Sequence, residues 1–117
     1  FIGRVTNPEY WINIIDINVL GSDYEGMSIT VLEALNKGIV SVCSDIDANR
    51  ELIKNGENGF LYELNNYNEL ALKIEALLND ETLYNKIAVN SFNYFAEHFD
   101  NKKLTKEFNH LLLAVAD

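Results

Sequence analysis

The sequence is poor in cysteine and proline, and it lacks the long apolar runs that anchor a chain in a membrane. Of its 117 residues, one is cysteine and one is proline. A single cysteine excludes an internal disulfide, so we expect the reducing environment of the cytoplasm. No apolar run approaches the roughly 20 residues that a membrane-spanning helix requires. The chain also does not open with the pattern of a secretory signal peptide.

Positively charged residues are also scarce. Nine Lys and Arg residues stand against 18 Asp and Glu residues, which gives a formal net charge of −9. Nucleic acids and anionic membranes both attract clustered Lys and Arg. The charge balance therefore argues against nucleic acid as a partner and against docking to anionic lipid, and the lack of a long apolar run argues against direct insertion into a membrane. The length and the 48% hydrophobic content instead predict one folded domain.

Short apolar runs alternate with helical patterns along the first half of the chain. The apolar runs predict strands at residues 1–5, 17–20, 39–43 and 60–62, and the segments between them predict helices at residues 8–15, 28–37 and 48–54. Asp47 is predicted to cap the third of these helices, and Gly38 to end the second. Apolar strands that alternate with helices predict a parallel sheet covered on both faces. The predicted fold class is α/β, with a partial doubly wound, Rossmann-like parallel sheet of about four strands.

The remainder, residues 66–117, is predicted to be a helical C-terminal segment. Asn66 and Glu69 form a capping pair at its start. A third predicted helix follows Asp100. On the first two helices, apolar residues recur at helical spacing and predict the face that packs on the core; these are Tyr67, Leu70, Ala71, Ile74, Leu77 and Leu78, then Leu83, Ile87, Ala88, Phe92 and Phe95.

The strongest functional signal lies in residues 22–38, SDYEGMSITVLEALNKG. Glu25 and Glu33 stand eight positions apart where a loop turns into a helix. A helix start presents unpaired amides and a partial positive charge, so we expect the amides of about Ser28 to Thr30 to form a binding site for a diphosphate. At a rise of about 1.5 Å per residue, Glu33 lies roughly 7 Å further along, where a carboxylate is placed to bind a ribose cis-diol. Glu25 is placed to reach a sugar beyond the second phosphate.

These residues resemble the E-x7-E signature of the retaining GT-B glycosyltransferases of family 4, also called group 1. Further blocks resemble successive parts of that family's C-terminal, nucleotide-sugar-binding domain: FIGRVTN, INVLGSDYEG, GIVSVCSDI, ANRELIKNGENGFLY and NELALKIEALLND. The resemblance runs from Phe1 to about Asp80. It implies that the four strands are the third to sixth of a sheet of order 3-2-1-4-5-6. Residues 1–117 would then be a single partial domain, half of a GT-B C-terminal domain and a fragment of the enzyme.

The resemblance also implies an activity: transfer of a sugar from a nucleoside-diphosphate sugar to a glycan or lipid-linked acceptor, with retention, in cell-surface or capsular polysaccharide synthesis. Glu25 would be the catalytic residue that contacts the transferred sugar, and Glu33 would bind the ribose. By the same resemblance, Asn49 and Arg50 lie where a loop approaches the donor or acceptor, and Arg50 is a candidate diphosphate contact. No metal or other cofactor is expected beyond the nucleotide-sugar co-substrate. The amides that would bind the donor belong to Gly26, Met27, Ser28, Ile29 and Thr30.

A fragment of this kind carries further expectations. It would lack sugar transfer on its own, because the acceptor side and half of the donor pocket lie in an N-terminal part. The full-length enzyme would be cytoplasmic and peripheral to the inner face of the membrane. The strand at residues 1–5 would either close locally on the sheet or pair with another copy, giving a homodimer through the open sheet edge.

Several alternatives compete with this interpretation. Asp45-Ile46-Asp47 follows a strand, as a D-x-D metal site of a GT-A enzyme would. On spacing alone, Glu25 would be a solvated loop residue, and Glu33 an exposed helix acid supported by Lys37. A non-catalytic nucleotide-binding or assembly module could use the same half-fold. A flavodoxin-like signalling domain would need a switch lysine that the sequence does not place.

Overall fold

The computed structural model describes residues 4–24, 26, 28–99, 106 and 110. The elements of this part of the chain alternate between strand and helix as far as β3 and then continue as two helices. In chain order they are α1 (Pro8–Ile12), β1 (Ile17–Leu20), α2 (Ile29–Lys37), β2 (Val40–Ser44), α3 (Asp47–Leu52), β3 (Phe60–Tyr62), α4 (Tyr67–Asn79) and α5 (Glu81–Phe99). None of the helices in the described part combines the length and the apolar character that crossing a lipid bilayer requires.

The three strands form one parallel sheet in the order β1-β2-β3. In the register of the sheet, Leu20 pairs with Cys43, and Ser44 pairs with Tyr62. Every residue of the central strand β2 is buried. Because parallel strands run the same way, their carboxyl ends meet at one edge of the sheet, and the loops that follow β1 and β2 start there side by side.

Helices cover both faces of the sheet. On one face, Cys43 packs with α2 and with Phe95 of α5. On the other face, Val40 and Val42 pack with Leu77 of α4 and Ile87 of α5. Successive side chains of a strand point to opposite faces, which accounts for this division within β2. The prediction of a parallel α/β fold covered on both faces is confirmed.

Two of the predicted capping signals are confirmed, at Gly38 and at Asn66. Gly38 ends α2 in the left-handed region, with φ 67°, and the amide of Ile39 donates to the carbonyl of Ala34 at 2.9 Å. At the start of α4, the side-chain oxygen of Asn66 accepts a hydrogen bond from the amide of Glu69 at 3.1 Å.

Cys43 is fully buried, and desolvation raises the pKa of its thiol to about 12, which keeps the thiol protonated near neutral pH.

Other predictions are corrected. Within the described residues the sheet has three strands, because Arg4 and Val5 do not belong to a strand, and residues 1–3 of the predicted first strand lie outside the described residues. Asp47 does not cap α3, since Ile46 occupies the N-cap position and Asp47 is the first helical residue. The predicted third C-terminal helix lies outside the described residues, apart from Lys106 and His110, which are helical.

Four residues predicted to be core are exposed: Tyr67, Ala71, Leu78 and Phe92. Tyr67 and Leu78 are each 69% exposed on α4, and Phe92 is 52% exposed on α5. Leu77 on α4 and Ile87 on α5 are buried as predicted.

Candidate functional site

The loops that follow β1 and β2 enclose a cleft at the carboxyl ends of the strands. In open parallel sheets, ligands bind at this edge. A cavity of about 310 Å³ lies between the two loops, and its lining residues are Asp23, Tyr24, Asp45, Ile46, Asp47, Ala48 and Arg50. A second cavity, of about 280 Å³, lies beside the start of α2 and is lined by Gly26, Ser28, Leu32, Ala48, Glu51, Leu52 and Phe99. The topology therefore favours this edge over a further cavity of about 350 Å³ between the α3–β3 connection and α5.

The first turn of α2 lies beside this cleft. Ser28 occupies the N-cap position and is 2% exposed, and its carbonyl accepts the amide of Leu32 at 3.0 Å. The Ser28 side chain makes no hydrogen bond to the first turn of the helix, and that turn contains no acidic residue. A helix start without a side-chain cap or a nearby acid keeps its partial positive charge, and its amide donors are available to another acceptor.

Glu33 lies on the second turn of α2 and is 8% exposed. Its sequence neighbours Leu32 and Ala34 are buried as well. The alternative in which Glu33 is an exposed helix acid is therefore wrong. Burying a carboxylate costs free energy unless polar groups or a ligand interact with it.

A chain of hydrogen bonds connects the two loops of the cleft. Ser28 Oγ donates to Asn49 Oδ1 at 2.6 Å, and Asn49 Nδ2 donates to the carbonyl of Ser44 at 2.8 Å. Ser44 Oγ donates in turn to the carbonyl of Ser22. Ser28, Ser44 and Asn49 are all buried. The chain of bonds therefore fixes the start of α2 relative to the end of β2 and the first turns of α3.

Arg50, the predicted diphosphate contact, lies on the cleft but is engaged by its own loop. Its Nε lies 2.6 Å from Asp45 Oδ1, and its Nη1 lies 2.9 Å from Asp47 Oδ1. The hydrogen bond to Asp45 and the charges of both carboxylates raise the pKa of Arg50. The D-x-D carboxylates thus face a guanidinium, and the described residues contain no group of three or more potential metal ligands.

The structure describes some of the predicted site residues and not others. Glu25, the predicted catalytic residue, and Met27 lie outside the described residues. Gly26 is exposed, and a Cβ added to it would meet nothing within 4 Å. Ser28, Ile29, Thr30 and Glu33 lie together along α2, as expected from a helix that starts at Ser28.

Sequence reasoning missed the role of Asn49. The family resemblance puts Asn49, like Arg50, where a loop approaches the donor or acceptor, yet Asn49 is fully buried and holds both loops. The sequence does contain a signal: Asn49 is a polar residue of a short helix, next to Ala48 and a few residues before the apolar Leu52 and Ile53. That signal indicates a buried polar contact but does not identify the partner.

Comparison with known proteins agrees with this fold. The sequence profile of the family described as Glycosyl transferases group 1 matches residues 1–94. Among curated relatives, the chain is 38% identical over 85 residues to the UDP-Gal:alpha-D-GlcNAc-diphosphoundecaprenol alpha-1,3-galactosyltransferase of Escherichia coli, an alignment that covers 67% of this chain and 22% of that protein. The chain spans about a third, or less, of the length of the curated relatives it matches, with 32%, 23% and 22% for three of them.

Solved structures are similar over most of the chain. The C-terminal domain of the group 1 glycosyl transferase LpcC from Francisella tularensis matches with a TM-score of 0.75 and 29% identity, over 85% of this chain and 51% of that one. A Staphylococcus aureus TarM variant, in complex with fondaparinux, alpha-GlcNAc-glycerol and UDP, matches with a TM-score of 0.78 and 25% identity, over 92% of this chain and 22% of that one.

Proposed function

The chain belongs to the group 1 glycosyl transferases, and from this premise we propose that it is the C-terminal, nucleotide-sugar-binding domain of a retaining GT-B enzyme. The enzyme transfers a sugar from a nucleoside-diphosphate sugar to a glycan or lipid-linked acceptor in cell-surface or capsular polysaccharide synthesis. The likeness to the LpcC C-terminal domain supports the domain assignment. The acceptor named for the Escherichia coli relative, a diphosphoundecaprenol-linked sugar, supports the acceptor class.

In this proposal, α2 binds the donor nucleotide along its first two turns. The amides at its start, from Ser28 to Thr30, bind the diphosphate, and Glu33 accepts hydrogen bonds from the ribose hydroxyls. The observation that carries the proposal is the burial of Glu33, at 8% exposure, on a helix whose N-cap side chain leaves the first turn uncapped. A carboxylate and a set of uncapped amides on one helix match the two polar parts of a nucleoside diphosphate.

The chemistry requires stabilisation of a departing diphosphate and of an oxocarbenium-like sugar. The helix amides take up charge on the leaving group in an orientation fixed before the reaction, so no metal is needed for this step. Glu25 contacts the hydroxyls of the transferred sugar, a role proposed from the family resemblance. Three of the five N–H donors of Arg50 bond Asp45 and Asp47, and the other two are available to a phosphate oxygen of the donor.

The proposal extends to the whole enzyme. The relatives are more than three times as long as the matched part, so we expect the 117 residues alone to lack sugar transfer. The complete enzyme works in the cytoplasm at the inner face of the membrane, where lipid-linked acceptors are elongated. Efficient transfer of a sugar by this chain alone would contradict the fragment interpretation.

Nucleotide binding tests the donor site directly. We expect the chain to bind at least one of UDP, GDP and ADP in calorimetric titrations, and Glu33→Gln to weaken this binding at least tenfold, because a hydrogen bond to a charged group contributes roughly 1.5–3 kcal/mol. The 2′,3′-dideoxy form of the same nucleotide, which lacks the diol, should bind wild type and Glu33→Gln equally.

Glu75→Gln provides the matched control, since Glu75 is an exposed acid on α4. It should leave the affinity unchanged. If none of the three diphosphates binds the wild-type chain, or if Glu33→Gln binds as well as the wild type, the donor-site assignment is wrong.

A second candidate function is a non-catalytic assembly module. The observation in its favour is the outer edge of β1, which has no strand partner within the described residues. Absence of nucleotide binding together with stable self-association would favour this module over the transferase.

A further inference from the structure

Ser28 has an unusual arrangement for a serine at the start of a helix. A serine at the N-cap ordinarily turns its oxygen toward the first turn and accepts a hydrogen bond from the second or third helical amide. Here the Ser28 side chain makes no such bond, and Oγ instead donates to Asn49 Oδ1 at 2.6 Å. The hydroxyl is therefore held away from the amides that it would otherwise cap.

Asn49 is built into the fold so that it can hold this hydroxyl. It is fully buried, and Nδ2 donates to the carbonyl of Ser44 at 2.8 Å, which fixes the orientation of the amide group. With Nδ2 committed to Ser44, Oδ1 is the atom that faces Ser28, and it can only accept. The hydroxyl must therefore act as a donor toward Asn49.

We propose that Asn49 is a positioning residue that keeps the first turn of α2 uncapped and open to the donor diphosphate. This inference rests on the proposed function of the α2 start. A capping hydroxyl and a diphosphate compete for the same amides, so any residue that draws the hydroxyl aside strengthens phosphate binding. Asn49 does so without touching the nucleotide.

A double-mutant cycle separates this role from simple support of the fold. With Asn49→Ala the Ser28 hydroxyl is released and caps the first turn, and UDP affinity should fall about fivefold, the fold-change that corresponds to the roughly 1 kcal/mol of a typical N-cap bond. Uridine, which has no diphosphate, should bind both forms equally. Adding Ser28→Ala to Asn49→Ala removes the competing hydroxyl, and UDP affinity should return to near the wild-type value.

Asn58→Ala is the matched control. Asn58 is also a buried asparagine, and both of its amide atoms bond to backbone groups, at Lys54 and Leu52, away from the cleft. We expect Asn58→Ala to lower stability without changing the ratio of UDP to uridine affinity. If Ser28→Ala fails to rescue Asn49→Ala, the proposed role is wrong and Asn49 supports the fold only.

Amide hydrogen exchange gives a readout that needs no ligand. In Asn49→Ala the amide of Thr30 or that of Val31 should exchange more slowly than in the wild type, because the released hydroxyl now bonds one of them. Unchanged or faster exchange at both amides overturns the inference. If the wild-type chain binds no nucleotide but this exchange slows, the proposed function fails while the role of Asn49 at the helix start stands.

Discussion

Buried polar side chains in this molecule differ in whether a neighbour satisfies them. Ser28, Ser44 and Asn49 are hydrogen-bonded to one another or to backbone carbonyls across the cleft. Ser91 differs, because its fully buried Oγ on α5 has no hydrogen-bond partner within the described part of the chain. A buried hydroxyl without a partner costs roughly 1–3 kcal/mol of stability.

Replacing Ser91 should therefore stabilise the protein. We expect Ser91→Ala to raise the free energy of unfolding by about 1 kcal/mol, because it removes the unpaired hydroxyl and because alanine is the best helix former. Urea unfolding followed by circular dichroism measures this change. Ser41→Ala is the control: Ser41 is equally buried, but its Oγ accepts a hydrogen bond from Asn18 Nδ2 at 3.1 Å, so its loss should destabilise. Destabilisation by Ser91→Ala would contradict the prediction.

At the scale of single residues, the sequence identifies chemical types better than partners. Glu33 could be singled out because its position depends only on the local rise of one helix. The partners of Asn49 could not, because they depend on how the segments after two different strands converge. Asp47 illustrates the limit, since its carboxylate pairs with Arg50 three residues later instead of capping the helix.

At the scale of elements, boundaries follow local signals closely. The predicted strands at 17–20 and 60–62 coincide with β1 and β3, and α2 ends at Gly38 as predicted. Apolar runs and a helix-ending glycine depend on only a few neighbouring residues, so they can be recognised in the sequence without knowledge of the tertiary structure. Helix α1 ends at Ile12, three residues before the predicted end, because the chain turns there toward β1.

The connection from α3 to β3 depends on a close backbone approach at Gly59. A Cβ at this position would lie 2.9 Å from the carbonyl oxygen of Ser41 on β2 and 3.0 Å from Ile53 Cδ1. Both neighbours are themselves buried in the core, which leaves little room for them to move. This approach joins β3 to the centre of the sheet.

We expect Gly59→Ala to lower the free energy of unfolding by about 1–3 kcal/mol, the usual cost of overpacking a core. The change in thermal midpoint, followed by circular dichroism, measures it. Gly26→Ala is the matched control, because a Cβ at Gly26 meets nothing within 4 Å, and it should leave the midpoint unchanged. Equal midpoints for Gly59→Ala and the wild type would show that the neighbours give way freely.

At the scale of the whole molecule, one edge of the sheet is left open. Within the described residues β1 pairs only with β2, and Val19 on β1 is 46% exposed. The segment around this strand is also rich in exposed apolar side chains: Tyr10, Trp11, Ile14, Ile15 and Tyr24. Unpaired strand edges and exposed apolar surface promote association.

The isolated chain should therefore self-associate through β1. Sedimentation velocity at increasing concentration should show a dimer, and Val19→Lys should shift the chain toward monomer, because a lysine on an edge strand opposes strand pairing. Val89→Lys on α5 is the control with the same charge change, at a residue that is 58% exposed. A compact monomer at all concentrations, or equal loss of dimer in both variants, would contradict association through this edge.

The order and direction of the strands could be predicted for the whole molecule, but their number could not. Parallel strands followed from apolar runs separated by helices, which is a pattern along the chain. The predicted first strand depended on a neighbour in space, and in the implied sheet order its one neighbour is a strand that the matched segments do not include. Arg4 and Val5 accordingly stand outside the sheet.

Helix α5 contributes to both faces of the sheet, with Ile87 in one cluster and Phe95 in the other. On the ribosome, this helix leaves the exit tunnel after β1, β2 and β3 have been made. Neither apolar layer can close before then, so apolar surface of the nascent sheet stays exposed until α5 emerges. Acquisition of the native state is thereby tied to the final turns of α5 rather than to completion of β3.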